Sequence, residues 1–153
     1  MTPEEKLASL GLVLPKAPVP AANYVLYRFA GNLLYLSGQG PKRADGSYRP
    51  GRLGRNVTIE EAYEDARLTG LNLLAVAKSA LGELSRIDSV AKLLGMVNAE
   101  PDFPEHPKVI NGCSDLLVEV LGDAGRHARS AVGMGSLPNQ MTVEIEAILL
   151  VRD

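Results

Sequence analysis

The segment from Thr58 to Gly82 constrains this chain more than any other. Thr58-Ile59-Glu60-Glu61 sets a hydroxyl three residues before a carboxylate, the pairing that satisfies free amides at a helix start. Ala62, Ala66, Leu73, Ala77 and Leu81 then form a small apolar stripe at helical spacing, and Gly82 ends it. A long helix in the middle of the chain is therefore expected, with one face made for close packing.

The other elements read around it. Thr2-Pro3-Glu4-Glu5 carries a second capping box with proline at the first helical position, and Gly11 stops that helix. Pro15 to Pro20 is rich in proline and alanine and reads as extended. Tyr24 to Phe29 and Leu33 to Ser37 are β-prone runs, and Ala30-Gly31-Asn32 between them suits a hairpin turn. Gly40 to Gly54, with four glycines and two prolines, reads as a polar surface loop. Ser89 to Val97 reads as a strand, and Pro101, Pro104 and Pro107 mark a loop. Lys108 to Leu121 reads as a helix stopped at Gly122. Strands follow at Ser130 to Met134 and Thr142 to Val151. The order β-β-α-β-α-β-β shows no repeat or linker, so a single domain over 1–153, with an N-terminal arm over about 1–22, is expected.

Composition narrows the function. Net charge is −2 and aromatic residues make up 5%, so neither a basic field nor stacking platforms favour nucleic acid. One cysteine, Cys113, forms no intrachain disulfide and builds no zinc site with the widely spaced His106 and His127. No apolar run is long enough to span a membrane, and the acidic N-terminus lacks a signal-peptide layout. A cytoplasmic protein without a metal is expected.

The chemistry concentrates near the C-terminus. Strand alternation puts Arg129, Ala131, Gly133 and Gly135 on one face, and Glu144 and Glu146 on one face of the last strand. If those two strands pair, Arg129 and a glutamate lie close. An arginine entering a core can hold a carboxylate through two parallel hydrogen bonds, and a glutamate beside it can activate water. Alternatively, the glutamates decorate a solvated face and Arg129 neutralises one of them. Ser37-Gly38-Gln39-Gly40 either lets a ligand reach backbone donors or is a plain turn. Asn111 either enters a pocket or serves the helix start. Lys42, Arg43, Arg49, Arg52 and Arg55, set against Asp45, either steer anions or sit on a solvated loop. Cys113 reads as a packed, inert thiol.

Ser37-Gly38-Gln39, Asn111, Ala128-Arg129-Ser130-x-Val132, Leu137-Pro138 and Glu144-Ile145-Glu146-Ala147-Ile148 together resemble the reactive-intermediate deaminase family (Rid, YjgF-like, also labelled endoribonuclease L-PSP). The likeness runs from about Tyr24 to Arg152. It implies an α+β, chorismate-mutase-like fold, with two main helices packed on one face of a β-sheet, assembled as a homotrimer with clefts between subunits. It also implies cofactor-free hydrolysis of 2-imino and 2-enamino acids of the 2-aminoacrylate type to 2-keto acids and ammonia. Arg129 takes the place of the family's substrate-binding arginine and Glu144 that of its water-orienting glutamate. Tyr24, Ser37, Gly38, Asn111 and the backbone of Ala131 match substrate-binding positions. The chain departs from the family in two substituted sites and three extended segments. Ala131 stands where a cysteine is common, Arg126-His127 replaces a more apolar pair, and the arm, the Gly40–Gly54 loop and the Phe103–Asn111 stretch are extended. A small-carboxylate binding or sensing module is the alternative, and a ribonuclease, working through the basic loop and the histidines, a more distant one.

Overall fold

The computed structural model describes residues 1–20 and 22–153. The helix signals act as read. Helix α1 (Pro3–Ser9) is capped by Thr2, whose hydroxyl accepts from the Glu5 amide at 3.1 Å while the Glu5 carboxylate accepts from the Thr2 amide at 2.8 Å. Strands β1 (Tyr27–Ala30) and β2 (Leu33–Gln39) form the expected hairpin, with Gly31 at φ 59° in the turn. Helix α2 (Ile59–Leu81) repeats the capping box with Thr58 and Glu61 and ends on Gly82. Strand β3 (Ile87–Asn98) leads to helix α3 (His106–Leu121), then β4 (Ala128–Met134) and β5 (Val143–Val151). Helix α3 starts two residues before the expected Lys108. Pro107 belongs to its first turn, where a missing N–H is harmless. Residues Tyr24–Leu26, expected in the first strand, stand outside the ladder. Ala21, within the expected arm, lies outside the described residues.

The five strands form one mixed sheet in the order β1-β2-β5-β3-β4. The condition for bringing Arg129 beside a glutamate within one chain is not met: β4 and β5 do not pair, because β3 lies between them. β3 and β4 are parallel, so the chain joining them needs a crossover, which α3 supplies. β5 pairs antiparallel with both β2 and β3. Its Val143, Ile145, Ala147 and Leu149 are all buried, which suits a central strand, whereas small or exposed residues on β4 suit an edge.

Helices α2 and α3 cover one face of the sheet. The fold is thus α+β with its core between that face and the helices, where Leu34, Leu93, Val97, Ile110, Leu116 and Ile145 are fully buried. The helices touch through glycine: a Cβ on Gly112 would overlap the Tyr63 carbonyl oxygen, and one on Gly70 would lie 2.9 Å from a Leu116 methyl. Among the described residues the opposite face carries no helix. By register, Tyr35, Leu94, Met96, Val132 and Ile148 share it with Glu144 and Glu146, and Tyr35 and Val132 are exposed. Among the described residues no helix is long and apolar enough to cross a membrane.

The Gly40–Gly54 segment, expected as a surface loop, is anchored. Leu53 is fully buried, Pro50 bridges to Met141, and the Asn72 amide donates to the carbonyls of Gly40 and Lys42. Arg52 points inward and donates to Asn98 Oδ1 at 2.8 Å and to the carbonyls of Ala99 and Gly135 at 2.7 and 2.5 Å. Arg49 pairs with Glu61 at 2.9 Å and lies 3.6 Å from the buried Asp65. Two of the five basic residues counted between Lys42 and Arg55 are therefore spent on the chain itself.

Candidate functional site

Arg129 faces the helices, level with Leu93 on β3 and Ala147 on β5. Its guanidinium lies along one side of α3. NH1 donates to Ser114 Oγ at 2.9 Å, and NH2 donates to Asn111 Oδ1 at 2.9 Å and more weakly to the Pro107 carbonyl at 3.4 Å. Residues 107, 111 and 114 come round to this side because they are spaced by helical turns. All three acceptors are neutral. Among the described residues no carboxylate makes an ion pair with Arg129, so the suggestion that it neutralises Glu144 or Glu146 does not hold. The positive charge is held in place but not cancelled. It borders a cavity of about 260 Å³ that Asn111, Ser114 and His127 also line.

Glu144 sits elsewhere. It is half-buried on the helix-free face, and no donor among the described residues bonds its carboxylate. Burial, and then the neighbouring Glu146, push its carboxyl above the ordinary range. Gly38 explains how β2 can approach it: a Cβ there would come within 2.9 Å of Glu144 Oε2. Tyr24, Gly38, Lys42, Tyr48, Asn139 and Glu144 surround a second cavity of about 230 Å³. Tyr24 is available because it left the ladder. Ser37 has a positioning part, since its hydroxyl donates to the Val25 carbonyl at 2.6 Å and ties down the segment next to Tyr24. Tyr48 and Asn139 escaped notice in the sequence. Asn139 is one of two consecutive residues with left-handed backbone, at φ 56° and 53°, and nothing in a Pro-Asn-Gln run announces that.

The register separates the two groups. Arg129 and Glu144 are two strands apart, and Glu144 is level with Met96, three residues along β3 from Leu93. Standard strand spacing and rise make that about 14 Å. They also point to opposite faces of the sheet. One chain thus holds two half-sites: Arg129 with Asn111, Ser114 and His127, and Glu144 with Tyr24 and Gly38. Ala131 follows Arg129 on the helix side, opposite Gly95, and packs against the core. Ser114 could have been found by periodicity, being three residues from Asn111 on the same helix. His127 could not, because its place depends on how β4 docks.

Other candidates settle into structural parts. The Cys113 thiol is fully buried and pushed up to about 12, which fits an inert group. His106 stacks edge-on to Phe103 at 5.2 Å. Among the described residues no three His, Cys, Asp or Glu side chains are grouped to hold a metal.

Comparison with known proteins places these features in context. Residues 4–145 match the family described as "YjgF/chorismate mutase-like, putative endoribonuclease". The chain is 43% identical over 144 residues to Protein TCP17 of Trypanosoma cruzi, covering 94% of this chain and 90% of that protein. A solved structure of an Agrobacterium tumefaciens protein of unknown function is 47% identical, with a TM-score of 0.92 over 98% of this chain and 92% of that one. Over 142 residues the chain is 28% identical to a 2-iminobutanoate/2-iminopropanoate deaminase of Dermatophagoides farinae, covering 90% of this chain and 92% of that protein. With the fold, the motif residues and these matches in agreement, the chain belongs to the YjgF/chorismate mutase-like family.

Proposed function

We propose that the protein hydrolyses small 2-imino and 2-enamino acids to 2-keto acids and ammonia, in clefts completed by a second copy of the chain. The observation that carries this reading is the uncancelled guanidinium of Arg129, fixed by neutral acceptors beside a cavity. Such a group suits a planar carboxylate, which it can grip with two parallel N–H donors. The unbonded, half-buried carboxylate of Glu144 suits a base, and its raised proton affinity brings it nearer the working pH. The substrate carboxylate rests on Arg129, Glu144 takes a proton from water, and the hydroxide adds to the imine carbon. Glu144 returns that proton to the nitrogen, the added hydroxyl gives up its own proton to the nitrogen as the carbon–nitrogen bond breaks and the keto group forms, and ammonia leaves.

Because Arg129 and Glu144 face opposite sides of one sheet, they meet only if Arg129 of one protomer approaches Glu144 of another. The helix-free face, with exposed Tyr35 and Val132, supports such assembly. A homotrimer with three equivalent clefts satisfies this requirement, and the 28% identity to an iminobutanoate deaminase supports the reaction assigned to those clefts.

Subunit complementation tests the reading. Arg129→Ala and Glu144→Gln should each lack activity on 2-iminopropanoate generated in situ. When the two variants are unfolded together and refolded, about a quarter of the clefts in randomly mixed assemblies regain both groups, and activity should return in that proportion. Full activity in either single variant, or no recovery in soluble mixed assemblies, would reject it.

A further inference from the structure

Ser114 and His127 form, with Arg129, a chain of hydrogen bonds whose direction can be deduced atom by atom. His127 Nδ1 lies 2.8 Å from the Gly125 carbonyl, which only accepts, so Nδ1 carries the hydrogen. In the neutral ring Nε2 is then an acceptor, and burial followed by the Arg129 charge lowers His127 below the usual histidine range, keeping it neutral against the opposing pull of Gly125. Nε2 lies 2.9 Å from Ser114 Oγ, so the serine donates its proton there. The oxygen is left with lone pairs, one of which accepts from Arg129 NH1 at 2.9 Å.

A helical serine can turn its hydroxyl to the carbonyl four residues back. Thr69 in α2 does so, donating to the Asp65 carbonyl at 2.8 Å. Ser114 makes no such bond, and its proton goes to His127 instead. The histidine therefore decides which way the serine points, and the serine oxygen decides where NH1 rests.

We propose that Ser114 and His127 are positioning residues for Arg129 in carboxylate recognition: His127 fixes the serine hydroxyl, and the serine oxygen holds NH1 so that the remaining guanidinium donors stay fixed toward the cavity. This rests on Arg129 binding a carboxylate, and it adds residues outside the match to the deaminase motif. Prealigned donors raise affinity by removing the cost of ordering the side chain on binding.

The test uses the intact protein with 2-oxobutyrate, a 2-keto acid that binds without turnover, in calorimetry, together with steady-state kinetics on 2-iminobutanoate. Ser114→Ala and His127→Ala should each weaken 2-oxobutyrate binding and raise KM about tenfold, as loss of a hydrogen bond to a charged group does, with kcat within twofold. The double variant should be no worse than either single one, because the two act as one chain. His127→Gln offers an amide oxygen near the place of Nε2 and should restore both constants. Unchanged affinity in folded single variants, additive losses, a fall in kcat at constant KM, or failure of glutamine to rescue at an unchanged melting temperature would each overturn the proposal. Arg129→Ala separates the two readings. If it abolishes binding while Ser114→Ala and His127→Ala do nothing, only the positioning chain is wrong. If it too leaves binding unchanged, carboxylate recognition by Arg129 falls and the chain with it.

Discussion

Replacing Gly112 with alanine sets two effects of known sign against each other. In an isolated helix the change is favourable by about 1 kcal/mol, because alanine loses less backbone freedom. In this fold the new Cβ would overlap the Tyr63 carbonyl oxygen and lie 3.1 Å from the Arg67 amide nitrogen, both backbone atoms of α2. No rotamer change relieves a clash with backbone, so α3 must move away from α2. Overpacking of this kind costs about 3 kcal/mol. The net loss is then about 2 kcal/mol, a fall of about 4–8 °C in Tm for a domain of this length. Function should follow, since Asn111 and Ser114 flank this glycine and hold Arg129, so 2-oxobutyrate binding should weaken as well. Gly70→Ala is the control. Its Cβ would meet a Leu116 methyl at 2.9 Å and the Cys113 sulfur at 3.2 Å, side-chain atoms that can shift, so it should cost less. Urea unfolding at constant m-value and calorimetry measure both. A Gly112→Ala protein as stable as the parent, or less affected than Gly70→Ala, would refute this account of the helix contact.

The acid limb of imine hydrolysis should report Glu144. Its carboxyl is raised in the folded protein, so activity is lost as pH falls through a value above the ordinary carboxylate range. Glu146→Gln removes the second cause of that shift and should move the limb to lower pH, and a limb that stays put or rises would be the contrary result. The same shift makes ionised Glu144 a burden on the fold at neutral pH, relieved as pH falls through the folded value. Glu144→Gln should therefore raise Tm at pH 7, with the advantage shrinking in acid. Arg52→Ala should cost about 2–3 kcal/mol in urea unfolding, because it strands Asn98 Oδ1 and backbone carbonyls that Arg52 now satisfies. Arg55→Ala, exposed and outside any ion pair among the described residues, should change stability by less than about 0.5 kcal/mol, and equal losses from the two would contradict the anchored loop.

Local chemistry was the legible part of this chain. Thr2 with Glu5, and Thr58 with Glu61, marked two helix starts. Gly82 and Gly122 marked helix ends and Gly31-Asn32 the hairpin, because capping and tight turns are settled within four or five residues. Alternation also put Arg129 and Ala131 on one face of a strand, and Glu144 and Glu146 on one face of another. Strand neighbours were not legible. Pairing is a competition among distant segments for apolar burial, and β5 won the centre through Val143, Ile145, Ala147 and Leu149, leaving β4 at an edge. That outcome split the expected site between two faces. It left Arg129 to the neutral groups of α3 rather than to a glutamate, and it turned Arg52 from a surface charge into an internal anchor. The contact through Gly70 and Gly112 is of the same kind: by propensity each glycine is a flaw in its helix, and only the second helix, packed against it, gives a reason for it.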